Sequence, residues 1–99
     1  SAFVYHETGN TVTFRDTSPR ARLHGLVIPK RLIPTVRQLD WSTDLDLLYE
    51  MKLSALTVLQ EQQPAAFNKG DYRLCFHVPP FNSVDHLHLH VQAPLSKMK

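Results

Sequence analysis

One cysteine, one tryptophan and three glycines in 99 residues limit what this chain can be. With Cys75 alone no intrachain disulfide can form, and a reducing compartment, cytoplasm or nucleus, is the expected setting. Cys75 sits in the apolar run Leu74-Cys75-Phe76, where it reads as a small buried hydrophobe. No apolar run approaches the roughly 20 residues that span a bilayer. The opening residues lack the charged-then-apolar pattern of a secretory leader, so no membrane association is expected. The formal charge of +2 suits phosphate-bearing ligands but falls short of the dense basic face of a dedicated nucleic-acid binder. Repeats and low-complexity segments are absent as well. What is present, 42% hydrophobic and 20% charged, is the balance of an ordinary globular domain. The length predicts one domain, residues 1–99, with a core small enough to favour association with a second copy.

Glycine and proline punctuate the chain. Phe3 to His6 is β-prone and ends at Thr8-Gly9-Asn10, after which Thr11-Val12-Thr13-Phe14-Arg15 alternates, so the two predict a hairpin. Asp16 to Pro19 reads as a loop, and Leu23 to Ile28 as a third strand closed by Pro29. Ile33 to Asp40 is expected to be irregular or a single helical turn. Ser42 or Thr43 can cap a helix running to about Gln62, with Asp44 and Asp46 placed favourably near its N-terminus. Leu45, Leu48, Met51, Ala55 and Leu59 recur at three- and four-residue steps and predict its buried stripe. Leu47, Leu53, Leu56 and Val58 widen that stripe, which predicts a partner subunit on the remainder. The helix should stop before Pro64. Asn68 to Asp71 reads as a turn, Tyr72 to His77 as a fourth strand, Val78 to Asp85 as a loop and His86 to Ala93 as a fifth strand. Strands on both sides of one helix predict an α+β fold with an antiparallel sheet.

Six histidines are many for this length, and three of them fall within five residues. In His86-Leu87-His88-Leu89-His90-Val91 each histidine alternates with an aliphatic residue. Strand geometry would send Leu87, Leu89 and Val91 into the core and set three imidazoles in a row on the other face. Lysine, threonine or glutamate would serve a merely polar face equally well, so the row points to chemistry. Neutral imidazoles can ligate zinc. They can also attack phosphorus, with neighbouring rings binding oxygens and managing protons. Zinc is the weaker reading: alternation turns Asp85 away from the histidines, leaving Cys75 as the one candidate ligand nearby.

The run His86-Leu87-His88-Leu89-His90-Val91-Gln92 resembles the signature of the histidine-triad family, departing from it at Gln92, where an apolar residue is expected. Altered packing at the strand end is the anticipated consequence. Phe14-Arg15-Asp16-Thr17-Ser18-Pro19 followed by His24-Gly25-Leu26-Val27-Ile28-Pro29-Lys30 is similar to the family's nucleoside-binding half, and Phe76 to Ser83 resembles its Hint-type branch and, more loosely, aprataxin. The resemblance covers about residues 3 to 94. It implies a HIT-like fold, a five-stranded antiparallel sheet with one long helix and a short helical turn. It also implies that His88 is the nucleophile at the α-phosphorus, flanked by His86 and His90, with His24 as a fourth histidine near the same phosphate. Asp16 is implied to bind the ribose hydroxyls, a task suited to a carboxylate that accepts from two neighbouring oxygens. Phe14, Thr17 and Leu26 are implied for the nucleoside pocket. Ser83 falls where Hint-type proteins carry a serine near the leaving group. His77 replaces a usual asparagine and could protonate a departing amine or alcohol.

The implied activity is hydrolysis of an adenosine phosphoramidate to AMP and an amine through a nucleotidyl-histidine intermediate, without metal or other cofactor. A purine nucleotide is the implied ligand and a homodimer, with helix 43–62 at its interface, the implied assembly. Two other readings are weighed against it. In an aprataxin-like deadenylase Arg20, Arg22, Lys30, Arg31 and Arg37 would contact a DNA end. This is less favoured, because such proteins generally carry a zinc finger and this chain has no second cysteine. A non-catalytic nucleotide-binding module is the other.

Overall fold

A computed structural model describes residues 3–33, 36–40, 42–76 and 86–98. Strand β1 (Val4–Glu7) and strand β2 (Thr11–Arg15) form the expected hairpin, and β3 (Leu23–Pro29) follows. A 3-10 turn at Val36–Gln38 leads to helix α1 (Leu45–Gln62), then helix α2 (Pro64–Lys69), β4 (Arg73–Phe76) and β5 (Leu89–Ala93). The strands make one antiparallel sheet in the order β1-β2-β3-β5-β4. A second 3-10 turn, Leu95–Lys97, follows β5.

Helix α1 covers one face of the sheet. Leu23 and Val27 of β3 and Leu89, Val91 and Ala93 of β5 meet Met51, Ala55, Val58 and Leu59 of the helix in a single buried cluster. Leu87 joins it too, so the three aliphatic residues that alternate with the histidines are core, as expected. The helical stripe keeps Met51, Ala55 and Leu59 of the one read in the sequence, adds Ser54 and Val58, and loses Leu45. Met51, Ser54, Ala55, Val58 and Leu59 are its buried positions, while Leu45 is 59% exposed. Ser54 can be buried because its hydroxyl shares a 3.0 Å hydrogen bond with Thr11 on β2. One turn earlier, Glu50 accepts from the Thr8 hydroxyl and the Asn10 amide, tying the β1–β2 turn to the helix.

The N-terminal end of α1 differs from the sequence expectation, while its C-terminal end falls at Gln62 as expected. Its N-cap is Asp44, not Ser42 or Thr43, and that carboxylate does not cap. It is buried against the Arg31 guanidinium and the Asp40 backbone N–H instead. The chain does leave α1 before Pro64, but Pro64 then opens α2, where its missing N–H is no loss and its fixed φ suits the first turn. Gly70 closes α2 at φ +70°, a left-handed conformation that glycine adopts without penalty. Gly25 serves differently: on β3 it stands opposite Val91, and a Cβ there would lie 2.9 Å from Val91 Cγ1.

Strand β5 begins at Leu89, three residues later than predicted, so strict alternation does not govern His86 and His88. Flanked by β3 and β4 and covered by α1, it is buried at every position.

Candidate active site

Residues paired across an antiparallel ladder share a face, and the register therefore places the site. On the face away from α1, one row runs Phe14, Leu26, His90, Cys75 across β2, β3, β5 and β4. The next row runs His24, Gln92, Arg73, and Asp16 joins it beyond the end of β2, where its backbone N–H donates to the His24 carbonyl. Cys75 is thus half-buried and faces the histidine side, where the sequence reading had it buried among hydrophobes.

His88 and His90 bring their rings to 4.9 Å between centroids, and His24 and His90 to 5.1 Å. The hydrogen bonds assign the protons. His88 Nδ1 lies 2.7 Å from the His86 carbonyl oxygen, which can only accept, so Nδ1 carries the proton and the neutral ring has its lone pair on Nε2. His24 Nδ1 accepts from the Arg20 backbone N–H at 3.1 Å, which places the His24 proton on Nε2. That proton points at His90 Nδ1, 2.8 Å away, and the His90 proton is then on Nε2. His86 turns elsewhere: its Nε2 donates to the Pro29 carbonyl at 3.0 Å. The three triad imidazoles are therefore not a flat row, and His86 contributes its carbonyl to orient the ring of His88.

Asp16 is a turn former and a site residue at once. Its Oδ1 accepts from the Ser18 backbone N–H at 2.7 Å, the local turn expected before Pro19. Its Oδ2 lies 3.5 Å from His24 Nε2. Asp16, Ser18, Arg20, His24, Arg73, His90 and Gln92 line a cleft of about 310 Å³. Of the residues singled out in the sequence, Asp16, His24 and His90 meet there, together with Arg20 of the DNA-end reading. Phe14 and Leu26 share the face but not the cleft lining, and Thr17 is exposed. His77 and Ser83 lie outside the described residues.

Ligating atoms of Asp16, His24 and His90 fall within 4.8 Å of one another, so the acidic ligand missing from the zinc reading exists, on another strand end. A cation there would have to displace the proton shared by His24 and His90. Two cleft residues escaped the sequence reading. Gln92, expected only to alter packing, is 4% exposed on the cleft face, and its Oε1 accepts from Arg73 Nε at 2.9 Å. The departure at Gln92 was visible as a signal; that it shares a face with His24 follows only from strand register.

All of residues 1–99 match the family model described as scavenger mRNA decapping enzyme C-term binding. The chain is 43% identical over 88 residues to a bifunctional adenosine 5′-phosphosulfate phosphorylase/adenylylsulfatase of Arabidopsis thaliana, covering 88% of this chain and 58% of that protein. It is 37% identical over 95 residues to an adenosine 5′-monophosphoramidase of Mus musculus, covering 95% of this chain and 56% of that protein. The chain thus spans somewhat more than half the length of these relatives. Among solved structures, a HIT family hydrolase of Legionella pneumophila superposes with a TM-score of 0.84 at 33% identity, over 93% of this chain and 80% of that one. Fold, histidine geometry and these likenesses agree, and the chain belongs to the histidine-triad family, on its Hint-type branch.

Proposed function

We propose that this chain hydrolyses AMP-linked substrates, adenosine phosphoramidates above all, by nucleotidyl transfer through His88. The observation that carries this reading is the bond from His88 Nδ1 to the His86 carbonyl, which keeps the proton on Nδ1 and the lone pair on Nε2, the atom that would bond to phosphorus. That lone pair attacks the α-phosphorus, the P–N bond to the amine breaks, and the amine takes a proton from solvent as it departs, the equivalent of the one released in the second step. Water then attacks the same phosphorus, the P–Nε2 bond breaks, the water proton is released and AMP leaves. His90, its proton held on Nε2 by the chain from Arg20 through His24, supplies a hydrogen bond to a phosphate oxygen as charge develops. Asp16 takes the ribose hydroxyls. The names of the relatives, one acting on an adenosine phosphoramidate and one on adenosine phosphosulfate, support the AMP half of the substrate.

A homodimer is the assembly we propose, in a reducing compartment. Leu45, Tyr49 and Leu53 stand at four-residue steps on α1, 59%, 61% and 45% exposed. A second copy presenting the same stripe would bury it across a two-fold axis.

A fluorogenic adenosine phosphoramidate tests the chemistry. Wild type should release the amine with a chelator present, and His88→Ala should lose the activity by about 10⁴-fold or more. Turnover that vanished with the chelator would transfer the reading to the Asp16–His24–His90 cluster as a metal site.

A further inference from the structure

In the row His24, Gln92, Arg73 the strand register sets Gln92 in the middle, so its one amide faces a histidine on β3 and an arginine on β4. Arg73 Nε can only donate, and it holds the Gln92 oxygen at 2.9 Å. The amide nitrogen is thereby left on the His24 side, 3.3 Å from Nε2. That ring nitrogen carries the His24 proton, because Nδ1 accepts from the Arg20 backbone N–H. Donor thus meets donor, and this contact adds no hydrogen bond of its own.

The orientation of the amide decides where the His24 proton goes. Around His24 Nε2 stand His90 Nδ1 at 2.8 Å, the Gln92 amide at 3.3 Å and Asp16 Oδ2 at 3.5 Å. As it is held, Gln92 cannot take the proton, which stays on the short bond to His90 Nδ1. Turned over, the same amide would put an oxygen in that place and compete with His90. A His24 proton drawn to Gln92 would leave His90 Nδ1 free to take the ring proton itself. With Arg73 in position the turn is costly, since it exchanges a hydrogen bond from a charged donor for a second donor–donor contact. The amide is 4% exposed, so its protein partners orient it more than water does. The apolar residue expected at this position could not accept the His24 proton at all. Glutamine serves in its place only with its oxygen tied off.

We propose that Arg73 is a positioning residue for the reaction, acting through Gln92. The guanidinium locks the amide oxygen away from His24, which confines the His24 proton to His90 and keeps the His90 proton on Nε2 for a phosphate oxygen. In that last step the proposal rests on the nucleotide reading above.

Heteronuclear NMR of the whole protein, labelled in its histidine nitrogens, shows which ring nitrogen of His90 is protonated, and phosphoramidate kinetics run beside it. Wild type should show His90 protonated at Nε2. Arg73→Met should add the form protonated at Nδ1 and lower kcat by about tenfold, the worth of one hydrogen bond, with KM within about twofold. Arg73→Lys keeps a donor for the amide oxygen and should recover most of both. Made in the Gln92→Leu background, Arg73→Met should leave the His90 tautomer in place and change kcat by less than about twofold, because no amide remains to turn. His90 protonated at Nδ1 in wild type, or a tautomer unmoved by Arg73→Met, overturns the proposal. A kcat loss of equal size in both backgrounds also overturns it, since Arg73 would then act without Gln92. A raised KM at unchanged kcat overturns it too and assigns Arg73 to substrate binding. Failure of the nucleotide reading shows separately: the tautomers would shift as stated while no phosphoramidate was turned over.

Discussion

At the scale of single residues, one backbone carbonyl and one backbone N–H settle the protons of the site. The His86 carbonyl fixes the His88 ring, and the Arg20 N–H fixes His24, which in turn fixes His90. Catalysis should therefore fail in two distinguishable ways. His88→Ala removes the bond-forming atom. His24→Phe keeps a ring of similar size but releases His90 Nδ1, and kcat should fall by roughly 10²-fold while AMP affinity changes far less. Equal loss in both parameters would assign His24 to binding instead. The histidines were legible as site candidates because alternation and the triad signature are local patterns. Their protons were not: that of His90 depends on Arg20 and His24, both distant in sequence, and that of His88 on the His86 carbonyl, in a segment expected to be regular strand. Gln92 shows the same limit: the sequence displays an amide where an apolar residue is usual, but not that Arg73 grips it.

At the scale of elements, the expectations that rest on local pattern met the structure closely, and those that depend on packing slipped. The β1–β2 hairpin, β3, the 3-10 turn and the long helix stand where turn residues and periodicity put them. The buried face of α1 is set by contacts with β2, β3 and β5, so Ser54 is inside and Leu45 outside, against their hydropathy. Helix α2 was hidden because a proline that ends one helix can begin another. Two predictions belong here. Gly25→Ala places a methyl 2.9 Å from a stiff, buried Val91, and should lower stability by about 1–3 kcal/mol, read as a reduced Tm. Asp44 is held below the ordinary aspartate range by hydrogen bonding to the Arg31 guanidinium and then to the Asp40 N–H. A depressed folded-state value means that this stabilisation is complete above the unfolded pKa of about 3.9 and fades as pH falls below it. Asp44→Asn should thus lower Tm near neutrality and flatten its fall on acidification, as followed by thermal melts across pH.

For the whole molecule, the core is a single cluster between α1 and one face of the sheet, and the opposite face carries the cleft with His24 and His90. The exposed Leu45–Tyr49–Leu53 stripe belongs to neither. Tyr49→Glu with Leu53→Glu should shift the protein from a dimer's gel-filtration volume to a monomer's, and wild type already eluting as a monomer would contradict the proposed assembly. The central claim is the bond between His88 and phosphorus, and intact-protein mass spectrometry after rapid quenching tests it most directly. Mixed with an adenosine phosphoramidate, wild type should gain the mass of one adenylyl group, mapped to His88, at times shorter than one turnover. An adduct mapped to His90 or His86, or steady hydrolysis by His88→Ala with no adduct at all, would contradict it.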